Sequence, residues 1–152
     1  MFTTSGPSST ANAPDLFEGR RARTAGRRTI APSIDPLSDK NRELAAGEID
    51  TILARLGVPR DRPIVTQVSR FDRLKDPVGV IQAFRLARKY NECRLVLAGG
   101  GATGDPEGAE VLASVYQAAD GDPDIFILDL PPTAHLEINA LQRASTSCCK
   151  SR

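Results

Sequence analysis

Two cations, Arg70 and Lys75, lie five positions apart in the stretch "VTQVSRFDRLKDP". A guanidinium presents a planar fork of donors and an ammonium a compact charge, so together they can hold different oxygens of a diphosphate. The same stretch contains a plainer use for them, because Asp72 and Asp76 can neutralise both on a solvated turn. The residue types alone leave both readings open. A second phosphate-like pattern, "GGGATG" from Gly99 to Gly104, fits G-x-G-x-x-G and admits an NAD-dependent oxidoreductase. It follows the second apolar run and not the first, and Asp105 and Glu107 load the next helix start with negative charge that would repel a pyrophosphate. Its simpler use is a strand-to-helix turn that a ligand or a neighbouring backbone can approach closely. His135, the only histidine, has no obvious Ser or Cys nucleophile to serve and reads as a surface or helix-start residue. No carboxylate pair has a spacing that singles out an acid–base couple, and no cluster has metal-ligand spacing. Neither a metal nor a cofactor is expected.

The elements that must position Arg70 and Lys75 are three units of one kind. "PIVTQV" is short and β-branched, and "DPVGVIQAFRLARKY" follows it with Asp76 as cap, Pro77 at the first helical position and Arg85, Arg88 and Lys89 near the far end. That order of charge suits the helix dipole. "CRLVLA" predicts a second strand, followed by a helix from "DPEGAEVLASVYQAA"; "DIFILDL" predicts a third, followed by a helix near "AHLEINALQRAS". Strand starts about thirty residues apart match a βαβ unit, and unbroken apolar runs match parallel strands covered on both faces. The order predicts an α/β fold, the first half of a doubly wound Rossmann-like parallel sheet. In such sheets ligands lie beyond the carboxyl ends of the strands, and the loop carrying Arg70 and Lys75 borders that place. Ahead of these units, "APSIDPLSDKN" is a Pro- and Asp-rich connector. Ser38 or Asp39 is expected to cap a helix with apolar positions Leu44, Ile49, Ile52, Leu53 and Leu56, and Gly57 to stop it.

Composition removes several functions. Across 152 residues, 20 Lys and Arg nearly cancel 19 Asp and Glu, which gives no whole-chain attraction to nucleic acid or an acidic membrane. Two Tyr, five Phe and no Trp leave little for stacking on bases. No window approaches the roughly 18 apolar residues of a membrane span. The start lacks the apolar core of a secretory signal; it reads as a disordered tail in preference to a transit peptide. Three cysteines, Cys93, Cys148 and Cys149, form neither a disulfide framework nor a zinc spacing, so a cytoplasmic location is expected.

The segments "APSIDPLSDKN", "VTQVSRFDRLKDPVGVIQAFRLAR", "DPEG", "DPDIFIL" and "EINALQRAS", in this order, resemble the trehalose synthases of the nucleotide-sugar glycosyltransferase type. The pattern is shared with retaining trehalose phosphorylases and, more loosely, with the retaining GT-B glycosyltransferases, and it covers roughly residues 30 to 145. The resemblance implies two facing Rossmann-like domains, with this chain supplying part of the C-terminal, donor-binding one. It implies transfer of glucose from a nucleotide-glucose donor to a glucose acceptor, with retention and without a metal. Arg70 and Lys75 match the cations that bind the donor diphosphate and offset the charge of the leaving nucleotide.

On this basis residues 1–29 are expected to be a disordered or non-native tail, 30–60 an interdomain connector and helix, and 61–145 a partial donor-binding domain. The closing "TSCCKSR" departs from the pattern. One possible coding of Thr146 to Arg152, read from its third base, gives Val-Val-Leu-Gln-Lys-Ser, the strand that the resemblance places next. Residues 146–152 are therefore expected to be a frameshifted tail, and the chain a truncated fragment, inactive alone, with the edge of its first strand uncovered. The alternatives are a trehalose phosphorylase fragment and a nonenzymatic nucleotide-binding or decayed product.

Overall fold

The short β-branched run after Pro63 forms strand β1 (Ile64–Val68), and the two apolar runs that follow form β2 (Arg94–Gly99) and β3 (Ile125–Asp129). The computed structural model describes residues 33–100 and 106–149; the expectations for residues 1–29, for Gly101 to Asp105 and for the last three positions lie outside the described residues. Helix α1 (Ala46–Arg55) precedes β1, α2 (Pro77–Ala87) joins β1 to β2, α3 (Pro106–Ala119) joins β2 to β3, and α4 (His135–Ala144) leads to a short strand, β4 (Ser147–Cys149). All pairings are parallel, in the order β3-β2-β1-β4. The α/β parallel sheet expected from the sequence is present.

Alternation along β2 shows why its sequence is apolar throughout. Val96 and Ala98 pack with Ile64, Leu53 of α1 and Leu141 of α4, while Leu95 and Leu97 pack with Ile81 and Phe84 of α2 and Val115 of α3. Helices thus cover both faces, and full burial of a side chain such as Leu53 or Ile81 contributes about 1.5–3 kcal/mol. Asp76 accepts a hydrogen bond from the Gly79 amide at 3.0 Å and Pro77 opens α2, as its sequence predicts. Gly57 ends the first helical segment at φ 71°, where a side chain would be strained.

Two expectations are corrected. Neither Ser38 nor Asp39 caps α1, which starts at Ala46 after an Ala45 that supplies no side-chain bond. The Ser38 carbonyl instead accepts from the Asn41 and Arg42 amides in a tight turn, and its hydroxyl donates to the Asp35 carbonyl. Leu44 is buried, but just ahead of the helix. The edge of β1 is also not bare, because Val65, Thr66 and Gln67 pair with Ser147, Cys148 and Cys149. Ladder bonds use backbone groups, so a segment without strand-like side chains can still make them.

At the amino ends of the strands an ion network ties the loops together. Arg88 Nη1 lies 2.7 Å from Asp122 Oδ1, Arg62 Nη1 lies 3.2 Å from Asp124 Oδ1, and Arg94 pairs with Asp61. The hydrogen bond from Arg88 holds the Asp122 carboxyl below its usual range. A carboxylate depressed by folding stabilises above its unfolded pKa, about 3.9, and that contribution is lost as pH falls through the lower folded value. Asp122→Asn is therefore expected to lower Tm by a few degrees at neutral pH, with the gap to the parent closing below about pH 4 in thermal melts. A gap that persists unchanged at the lowest pH would show that charge is not its source.

Candidate functional site

The loop leaving β1 is held from several sides. Ser69 continues the ladder by donating its amide to the Ala98 carbonyl at 3.0 Å, and Phe71 is buried against α2 and α3. Asp72 then organises both predicted cations. Its Oδ1 accepts the Lys75 amide at 3.0 Å, and its Oδ2 lies 3.3 Å from Arg70 Nη2. Gln67, buried in β1, donates from Nε2 to the Lys75 carbonyl at 2.8 Å. The Lys75 backbone, at the end of a 3-10 turn (Arg73–Lys75), is therefore fixed on both sides.

Beyond the carboxyl ends of β1 and β2 lies a cleft of about 570 Å³. Arg70 and Ser69 line it from the β1 loop, Gly99 and Gly100 from β2, and Leu130 to Pro132 from the loop after β3. His135, Ile138 and Gln142 line it from α4, and Lys40 from the connector. Lys75 is not among the lining residues. Of the two cations expected from sequence, Arg70 borders this cleft and Lys75 belongs to the turn beside it. Among the described residues, no Asp or Glu lines the cleft. His135 begins α4, as the sequence predicts, and the preceding Ala134 supplies no side-chain cap.

Gly99 and Gly100 have a packing reason of their own. A Cβ on Gly99 would fall 1.7 Å from the Ser69 carbonyl oxygen, and one on Gly100 would fall 2.2 Å from that of Leu130. The Gly99 carbonyl in turn accepts the Leu130 amide at 2.7 Å. The described part of "GGGATG" thus lets three strand exits converge. Its remaining residues lie outside the described ones.

Lys40 was not singled out by the sequence. Its place depends on two residues of α4: buried Asn139 donates from Nδ2 to the carbonyls of Asp39 and Arg42, both at 2.9 Å, and Arg143 Nη2 donates to those of Asn41 and Arg42 at 3.2 and 3.1 Å. Arg143 Nε also donates to Asn139 Oδ1 at 2.8 Å. "PSIDPLSDKN" and "NALQRAS", about a hundred positions apart, therefore meet in one hydrogen-bonded clasp. The spacing of charged residues could not reveal it. Among the described residues no group of three metal-ligating side chains comes together, and no helix is long and apolar enough to cross a membrane.

A parallel sheet covered by helices on both faces, with a cleft over its carboxyl ends, defines a Rossmann-like unit. In sequence the chain is similar to trehalose synthases. It is 44% identical over 115 residues to that of Rubrobacter xylanophilus, covering 74% of this chain and 28% of that protein. It is 44% identical over 118 residues to those of Thermococcus litoralis and Pyrococcus furiosus, covering 76% of this chain and 29% of each. The chain thus spans less than a third of the length of these curated relatives, and the resemblance carried by the quoted segments is borne out. Among solved structures, a sucrose-phosphate synthase from Thermosynechococcus elongatus aligns with a TM-score of 0.48 at 27% identity, over 65% of this chain and 24% of that one. No family-wide sequence profile matches the chain.

Proposed function

We propose that the described residues form the donor-binding part of a retaining glycosyltransferase of the trehalose synthase kind. The donor is a nucleotide-glucose, and the acceptor is glucose. The bond between glucose C1 and the diphosphate breaks, a new bond forms from C1 to an acceptor hydroxyl oxygen, and the proton of that hydroxyl passes to the departing diphosphate oxygen or on to water. Negative charge gathers on the leaving diphosphate, and cations already in place stabilise it without reorganisation. Arg70 supplies a forked donor at the cleft, and Lys75 supplies a second charge from the neighbouring turn. The observation that carries this reading is the cleft itself: it lies over the carboxyl ends of parallel strands, takes in Arg70 and, among its described lining residues, has no carboxylate. Similarity to trehalose synthases supports the choice of sugar.

Isothermal titration of the purified chain with UDP-glucose, ADP-glucose and NAD tests the proposal. Saturable binding of at least one nucleotide-glucose, competed by its nucleoside diphosphate and not by equimolar NAD, is the expected result. Binding of NAD in preference to every nucleotide-glucose, or of none of the three, overturns it.

A further inference from the structure

We propose that Lys40, presented by the connector, is a further cation for the donor diphosphate, so that a bound diphosphate bridges the β1 loop and the connector. The inference rests on the donor-binding reading above and adds a residue from a different part of the chain. Lys40 and Arg70 are the lysine and arginine among the described residues that line the cleft. Arg70 is already engaged by Asp72, at 3.3 Å. Lys40 takes part in no ion pair among the described residues, and the carboxylate next to it, Asp39, lies 3.3 Å from Arg42 Nε. An ammonium with no ion-pair partner among the described residues, beside a cavity whose described lining holds no carboxylate, is suited to an anionic ligand.

The clasp explains how an exposed lysine can act with some precision. The carbonyls on either side of Lys40, those of Asp39 and Asn41, accept bonds from Asn139 and Arg143, and the Asn41 and Arg42 amides bond to the Ser38 carbonyl. The backbone bearing Lys40 is thus ordered before any ligand arrives, and binding has only the lysine side chain left to immobilise. Arg143 is a positioning residue in this arrangement. It acts on the connector carbonyls and does not line the cleft.

The test is titration of the full chain with UDP and ADP, and with uridine and adenosine as phosphate-free controls. Lys40→Ala is expected to weaken binding of the preferred nucleoside diphosphate about tenfold and leave nucleoside binding unchanged, while Lys40→Arg retains most of the affinity. Lys40 is exposed, so its replacement leaves the core intact. Arg143→Met is expected to weaken diphosphate binding in the parent and to add little in the Lys40→Ala background, because it acts through that lysine. Unchanged diphosphate affinity in Lys40→Ala, or an equal loss for the nucleoside, overturns the role of Lys40. If Arg70→Ala loses affinity and Lys40→Ala does not, this inference alone falls; if the parent chain binds neither diphosphate, the donor-binding reading falls with it. An equal effect of Arg143→Met in both backgrounds overturns the positioning role.

Discussion

Arg70→Ala is expected to weaken nucleoside diphosphate binding by roughly 10- to 100-fold, the loss that follows when a charge-assisted hydrogen bond of about 1.5–3 kcal/mol is removed. The residue is about two-thirds exposed, and its side chain belongs to no core cluster, so folding should be little affected. Arg70→Lys separates charge from shape. It keeps the charge and gives up the planar fork, so an intermediate affinity is expected if the guanidinium meets two phosphate oxygens. Titration calorimetry with UDP and ADP, alongside a thermal melt of each variant, checks both statements. Parent-like affinity in Arg70→Ala would show that the cleft does not use this cation.

Gly99→Ala is expected to have the largest effect on stability. Its methyl carbon would sit 1.7 Å from the Ser69 carbonyl oxygen, a backbone atom that cannot turn aside as a side chain would. Relief requires β1 and β2 to separate where the Ser69 amide donates to the Ala98 carbonyl. Overpacking a well-filled interior costs typically about 1–3 kcal/mol, and a collision with the backbone of the neighbouring strand exit belongs at or above the top of that range. Urea denaturation should show a midpoint well below that of the parent, or a chain that does not fold. A midpoint equal to the parent's would mean that the strand exits have slack the structure does not show.

The parallel sheet was legible because its first three strands are covered by helices on two faces and so read as apolar runs, as in Leu95, Val96 and Leu97. The start of α2 was legible because its signals are local: Asp76, Pro77 and the bond to Gly79 lie within four positions. The start of α1 was not. Ser38 has the chemistry of a cap, yet it folds into a turn that Asn139 and Arg143 hold from the far end of the domain. Lys40 was hidden for the same reason, since a residue placed by bonds from about a hundred positions away leaves no mark in nearby spacing. Arg70 and Lys75 were legible as cations. Their separation into cleft wall and adjoining turn was not, because it follows from the 3-10 turn and from buried Gln67, neither of which advertises itself in the sequence.

Strand β4 is attached on different terms from its neighbours. Neither apolar cluster includes Ser147, Cys148 or Cys149 among its buried residues, and the strand is three residues long. Its release from β1 costs a few ladder bonds and exposes little apolar surface, whereas release of β2 would open both cores at once. Local opening free energies within one protein range from near zero up to that of global unfolding, and β4 belongs at the low end of that range. The amides that join it to β1 are accordingly among the first to exchange with solvent, while those of the β1–β2 ladder are protected until the domain itself opens.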